Sequence, residues 1–327
     1  MSEAAGVSVA TVSKVLNGRA DVAPATRSRV EDLIARYGYQ RRRAATTSRS
    51  ARVDLVFHEL ESAWALEVIR GVQRVARDEG FDVVLSESDG HQTPRDAWVD
   101  TVLDRRSAAA ILVLSGLTDE QHTRLATHGV PFVVVDPAGE PAGGVPSIGA
   151  TNWSGGLTAT RHLLDQGHRR VGVIGGPGHM LCSRARVDGY RSALEAAGLQ
   201  WDPTLVRSGD FHVDGGRQQA RELLTLDDPP TAIFAGSDLQ AMGVYVAARE
   251  LGLRIPEDLS VVGFDDLPVA GWLGPPLTTV RQPLVEMAEE ATYLALTLSR
   301  GEKPANLRLD LATDLVVRES TAPRSHR

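Results

Sequence analysis

Ser8, Thr11, Ser13, Lys14 and Asn17 crowd into the stretch Ala4 to Gly18, which reads AAGVSVATVSKVLNG. Val9, Val12, Val15 and Leu16 recur among them at helical spacings, which puts apolar and polar groups on different faces. Gly6 breaks the helical pattern that Ala4 and Ala5 close, and Ser8 offers a hydroxyl to cap the next one. A helix, a tight glycine turn and a second helix set short side chains against base edges in the major groove, where a lysine ammonium can donate to guanine O6 or N7. An ordinary helical hairpin carries the same pattern, and these residues alone do not separate the two.

Catalytic and metal chemistry find less support. His58-Glu59 invites a zinc-site reading, but position 62 is Ser62, so the H-E-x-x-H spacing fails. Gly172 to Gly178, GVIGGPG, has neither the G-x-G-x-x-G register nor a lysine-serine ending, and is read as turn residues near a cleft mouth. The single Cys182 has Arg184 and Arg186 as sequence neighbours, which would lower a thiol pKa, yet no base partner is evident. No Ser-His-Asp set, metal spacing or cofactor motif stands out, so no enzyme activity, metal or cofactor is expected.

The elements needed to position these residues fall into two kinds. Pro24 to Tyr39 forms a third short amphipathic helix, with Val30, Leu33, Ile34 and Tyr37 as its stripe and Pro24 where an early helical proline costs no hydrogen bond. Three such helices make a unit of about 40 residues, near the lower limit of independent stability. From Val53 onward, apolar runs alternate with amphipathic helices. The runs are Val53–Phe57, Val83–Ser86, Ala110–Leu114, Pro131–Val135, Val171–Ile174, Ala232–Ala235 and Ser260–Phe264; the helices include Ala65–Gly80, Gly155–Gln166, Ala185–Ala197, Gly215–Leu226 and Leu239–Leu251. Near-continuous apolar strands alternating with helices read as parallel sheets covered on both faces, with ligands beyond the strand C-termini.

Charge divides the chain in the same place. Residues 1–52 hold ten Lys or Arg against four Asp or Glu, a net +6, which leaves 25 basic and 38 acidic residues, a net −13, for the remainder. A basic head on an acidic body directs the head, and not the body, toward phosphate. One cysteine excludes an internal disulfide framework. The longest apolar run, Ala108 to Leu114, is too short to span a bilayer, and the N-terminus is polar. A cytoplasmic protein without membrane contact is expected.

The motifs GVS-x-x-TVS-x-VLNG from Gly6 to Gly18, V-x-x-x-TR-x-RV from Val22 to Val30, and the closing Gly38-Tyr39 resemble the lactose-repressor (LacI/GalR) family of bacterial transcription regulators. The resemblance implies an N-terminal all-α helix-turn-helix head and an α/β two-lobed body like a periplasmic sugar-binding protein, with two parallel-sheet lobes. Expected boundaries are a head at 1–40, a basic hinge at 41–52, a body at 53–320 and a tail at 321–327. Within the body, lobe 1 covers about 53–152 and 282–310, and lobe 2 about 153–281 and 311–320, with a crossover near Thr278–Pro283. Met1 falls inside the family's first helix, which implies an upstream start or a head frayed in this form. The tail lacks leucine heptads, so no tetramerising coiled coil is expected.

Carried over residue by residue, the resemblance makes Val9, Ala10 and Lys14 base readers, and Ser8, Thr11, Ser13, Asn17 and Thr26 mainly phosphate contacts. Val9 and Ala10 can touch a thymine methyl but cannot read a donor pattern. In the hinge, Ser48 stands where relatives wedge a leucine into the minor groove. Arg41, Arg42, Arg43 and Arg49 are therefore expected on phosphates or in a narrow minor groove, and DNA bending is in doubt. Effector contacts fall on Trp64, Arg186 (in Arg-Val-Asp-Gly-Tyr), Phe211, Ser237 in place of a frequent asparagine, Asp265 and Gln282. Trp64 also fits as a cap of the first body helix, and Arg186 as a structural ion pair. Asp238 is expected to cap the helix that follows it. Function is then repression at a pseudo-palindromic double-stranded DNA operator by a homodimer, gated by a small effector, most simply a sugar. The rival classes are a periplasmic-type sugar-binding protein without DNA function and a nucleotide-dependent α/β enzyme.

Overall fold

A computed structural model describes Val7, Ala23, Thr26 and residues 50–60, 63–88, 93–139 and 144–324. The chain divides into a unit at Met1–Arg49 and another at Ser50–Arg327. In the first, Thr26 is helical and half-buried, and its amide donates to the Ala23 carbonyl (3.0 Å). The other DNA-contact candidates, Ser8, Val9, Ala10, Thr11, Ser13, Lys14, Asn17, Arg41, Arg42 and Arg43, lie outside the described residues.

The second unit alternates strand and helix because its apolar runs alternate with one-sided helices. Lobe 1 opens with β1 (Ser50–Phe57), α1 (Ala63–Asp78), β2 (Asp82–Glu87), α2 (Asp96–Asp104), β3 (Ser107–Val113), α3 (Asp119–Thr127), β4 (Phe132–Val135) and β5 (Ser147–Ala150). Lobe 2 follows with α4 (Asn152–Asp165), β6 (Val171–Gly175), α5 (Leu181–Ala196), β7 (Val206–Ser208), α6 (Val213–Leu224), β8 (Ala232–Ala235), α7 (Asp238–Glu250), β9 (Ser260–Asp265) and β10 (Thr278–Arg281). The chain then returns to lobe 1 with α8 (Leu284–Ser299) and β11 (Arg308–Leu311), and ends in lobe 2 with β12 (Asp314–Val316).

Two six-stranded sheets result, ordered β11-β5-β4-β3-β1-β2 and β12-β10-β9-β8-β6-β7. Every pairing is parallel except β10 with β12. Each sheet carries a buried apolar cluster on both faces, as strands such as Ser107–Val113, buried at every position, require. The lobes also touch directly: Leu239 and Leu267 of lobe 2 pack on the lobe 1 core, and the Leu181 amide donates to the Ala138 carbonyl (2.8 Å).

Three crossings join the lobes, at Thr151, at Gln282-Pro283 and at Ala312-Thr313. The first and third are tied together: the Thr151 amide donates to the Leu311 carbonyl (2.9 Å), the Thr313 amide to Thr151 Oγ1 (3.0 Å), and the Thr313 hydroxyl to the Thr151 carbonyl (3.2 Å). The stretch expected as a crossover from Thr278 is mostly strand β10, buried between β9 and β12, and only Gln282-Pro283 crosses. Gly172 and Gly175, expected as turn residues, are inside β6; a side chain at Gly172 would press on Leu223 and Pro230. Among the described residues no helix is long and apolar enough to cross a membrane.

Candidate ligand-binding site

The C-terminal ends of strands from both sheets converge on a cavity of ≈ 280 Å³ between the lobes, the place where parallel sheets collect ligands. Lobe 1 contributes Phe57, His58 and Glu59 from the end of β1, Trp64 from the first turn of α1, Val113 and Leu114 beyond β3, and Asp136 beyond β4. Lobe 2 contributes Pro177, His179, Met180, Cys182 and Arg186 around the start of α5, Asp210, Phe211 and His212 before α6, Ser237 and Leu239 at the start of α7, and Asp265 at the end of β9.

The backbone here is unusual. Among the described residues six that are not glycine have left-handed φ, and four of them line the cavity: Leu114 (50°), Asp136 (49°), Phe211 (70°) and Asp265 (110°). Such conformations cost about 1–3 kcal/mol each and persist where neighbours over-determine them. Sheet hydrogen bonds do so: the Leu114 amide donates to the Val135 carbonyl (3.0 Å), and the Asp136 amide to the Ile148 carbonyl (2.8 Å). Phe211 lies flat over Gly176, where an added Cβ would overlap its ring.

Arg186 organises the floor. Nε donates to Asn152 Oδ1 (2.8 Å), NH1 to the Gly236 carbonyl (2.6 Å) and NH2 to Gln282 Oε1 (2.9 Å). The guanidinium stacks on Phe264, 3.7 Å from the ring centroid, an arrangement that favours a desolvated cation. Asp136 is buried beside it. Burial pushes that carboxyl above the usual range, while Arg186, Gln282 and Asn152 pull it back. Asp265 is pushed up to about 7, first by burial and further by Asp136, with Arg186 opposing. Its Oδ1 stands 3.7 Å from Arg186 NH1, beyond hydrogen-bond reach, and accepts no hydrogen bond from the described residues. A buried acceptor in this state fits a ligand hydroxyl or amine that brings the missing donor.

Of the residues singled out by sequence, Trp64, Arg186, Phe211, Ser237 and Asp265 line this one cavity, and Gln282 braces Arg186 from the second crossing. Ser237 is more committed than expected: its hydroxyl donates to the Phe211 carbonyl (3.1 Å) and accepts from the Gln240 amide (3.1 Å), so it, and not Asp238, caps α7. Asp238 is instead buried, accepting from Thr279 Oγ1 (2.5 Å) and the Leu267 amide (2.7 Å), and burial with Asp265 nearby pushes its carboxyl well up. Cys182 is likewise reversed. Burial, Asp136 and Asp265 push its thiol up to about 12 against Arg186, and Arg184 turns away to the carbonyls of His179 (3.2 Å) and Gly178 (3.5 Å). Asp136 and Asn152 were missed. Asp136 had a signal, a lone acid directly after the apolar run FVVV; Asn152 had none, because its role exists only once the crossing brings it to Arg186.

Comparison with known proteins completes the description. A family model described as bacterial regulatory proteins, lacI family, matches residues 2–42, and one described as a periplasmic binding protein-like domain matches residues 160–321. The HTH-type transcriptional regulator CelR of Thermobifida fusca is 38% identical over 326 residues, covering 97% of this chain and 95% of that protein. The HTH-type transcriptional repressor CytR of Escherichia coli (strain K12) is 31% identical over 320 residues, covering 97% and 94%. Among solved structures, a CelR–cellobiose complex matches with a TM-score of 0.76 at 35% identity over 98% of both chains. A lac repressor dimer bound to operator and the anti-inducer ONPF matches with a TM-score of 0.72 at 28% identity, covering 98% of this chain and 97% of that one. A helix-turn-helix head and a two-lobed, parallel-sheet body thus share one chain.

Proposed function

The chain belongs to the lacI family of bacterial regulatory proteins, and on that premise we propose that it represses transcription by binding a pseudo-palindromic DNA operator with an affinity set by a sugar between its lobes. The observation that carries this is the reach of Arg186. One cavity-wall side chain is hydrogen-bonded to Asn152 beside the first crossing and to Gln282 on the second. A ligand that displaces or neutralises Arg186 or Asp265 acts directly on the segments about which the lobes turn. Sugar and operator then alter each other's affinity by the same factor. Two-lobed homology to CelR, solved with cellobiose, supports the ligand class.

Val9, Ala10 and Lys14 are assigned to base edges; Ser8, Thr11, Ser13, Asn17, Thr26 and Arg41 to Arg43 are assigned mainly to the backbone. Trp64, Arg186, Phe211, Ser237, Asp265 and Gln282 are assigned to the effector or its direct support. No catalytic step is assigned. The active species is a homodimer working in the cytoplasm on the nucleoid. A face for the second copy is at hand: Trp272 is 80% exposed and precedes Leu273, which with Tyr245 and Leu253, and with Arg249, Arg254 and Glu257, lines a groove of ≈ 560 Å³. A projecting indole and a receiving groove on one face suit an isologous twofold contact, and twofold protein symmetry imposes a twofold operator.

The test is selection of duplexes from a fluorescent random pool by the full chain, repeated at increasing salt with and without a panel of sugars. Selection of a palindrome, a loss of about 10³-fold or more between 50 and 200 mM salt, and release by one sugar are expected. Failure to select any duplex at low salt would defeat the proposal.

A further inference from the structure

The cavity has two tiers. On its floor Arg186, Ser237 and Asp265 are 3–5% exposed, with Asp136 at 4%. At its rim the Glu59 and His212 side chains are 38% and 39% exposed, and they meet across the gap from opposite lobes, His212 Nε2 to Glu59 Oε2 at 3.3 Å. Asp210 sits beside them, its Oδ1 accepting from the His212 amide (2.9 Å). Trp64, Leu114, Phe211 and Leu239 form the apolar wall that these polar tiers share. The floor offers one set of hydrogen-bonding groups and the rim a second, separate set, beside aromatic faces suited to the C–H side of a pyranose.

Charge narrows the ligand further. Among the described residues Glu59, Asp136, Asp210 and Asp265 face the cavity against a single arginine, three of whose five N–H donors already go to Asn152, Gly236 and Gln282. Arg184 is not among the lining residues and is turned to the backbone carbonyls of Gly178 and His179. An anionic group entering here loses water beside four acidic side chains, with one largely committed arginine among the described residues to receive it.

We infer that the effector is a neutral glycoside of at least two rings, one held on the floor by Asp136, Arg186 and Asp265 and the next at the rim by Glu59, Asp210 and His212, with phosphorylated sugars rejected. This rests on the cavity being a sugar site. The experiment is thermal shift and calorimetry on the full chain. The probes are glucose, galactose, cellobiose, lactose, maltose and glucose 6-phosphate. One neutral disaccharide binds at least tenfold more tightly than either monosaccharide, and glucose 6-phosphate gives no shift. In the Glu59→Ala, His212→Ala double variant the ratio between disaccharide and monosaccharide midpoints falls toward one. A monosaccharide that binds as tightly as any disaccharide, a ratio that survives the double variant, or tighter binding of glucose 6-phosphate than of glucose overturns the two-ring neutral ligand while leaving a sugar site standing. Silence from all six probes removes the sugar site itself.

Discussion

A carboxylate buried beside another, with one oxygen lacking a donor, destabilises the fold unless a ligand completes it. Asp265 is that group, and its elevation to about 7 from an ordinary value of 3.8 has a measurable sign. Between those values the folded protein keeps a proton that the unfolded chain has released, so stability falls as pH rises through the window and stays lowered above it. Asp136 and Asp238, also raised, act in the same direction; His162 and His168, lowered chiefly by burial, act oppositely, because folding holds them neutral as pH falls below 6.5. The Asp265 contribution must therefore be read by difference. Asp265→Asn is expected to melt about 5 °C above the parent at pH 8, at about 2–4 °C per kcal/mol for a domain of this size, and to match it near pH 4; a gap that is constant with pH would refute the assignment. Arg186→Ala leaves Asp136 and Asp265 uncompensated and is expected to cost about 3 kcal/mol along with the response to sugar, measured by denaturant unfolding and calorimetry. At this scale the sequence was informative through its resemblance to the family, which carries residue roles onto matching positions. Arg186, Asp265 and the two aromatics could be picked out; Asn152 could not, since its partner lies 34 positions away.

At the scale of elements, the two sheets were legible because buried parallel strands are apolar at nearly every position. Outside that regime only the edge strand β2, with its run Val83–Ser86, was read. The edge strands β7 (VRS), β11 (RLDL) and β12 (DLV) are short and partly exposed, and the interior β5 (SIGA) carries only one large apolar side chain. β1 likewise begins at Ser50, ahead of the apolar run, where Ser50 pairs with Ser107 before a register shift. What the elements achieve is close approach, and Gly176 shows its use. Without a Cβ at the end of β6 the Phe211 ring lies against the backbone, held in a left-handed conformation before α6. Gly176→Ala must move that ring. Sugar affinity is expected to fall at least tenfold, about 1.4 kcal/mol, with operator binding in the absence of sugar retained. Calorimetry showing unchanged affinity would mean that Phe211 is not part of the binding surface.

For the whole molecule, the separation of a +6 head from a −13 remainder leaves the body poorly suited to hold DNA, and one small head supplies few phosphate contacts. In the proposed homodimer, operator affinity comes from two heads acting on one duplex, which joins DNA binding to dimerisation through effective concentration. The exposed Trp272 provides the lever. Buried in the neighbouring copy's groove, an indole is the kind of anchor that carries a large part of an interface, and an aspartate there would be desolvated without a partner. Trp272→Asp is therefore expected to sediment as a monomer at concentrations where the parent is a dimer. Its operator affinity should fall by two or more orders of magnitude, on the order of 3 kcal/mol. Trp272 lies outside the cavity lining and is solvent-exposed in the single chain, so sugar binding and the folding of the body should persist. A variant that remains dimeric would place the second copy on another face; a monomer that held operator as tightly as the parent would break the link between twofold assembly and DNA recognition.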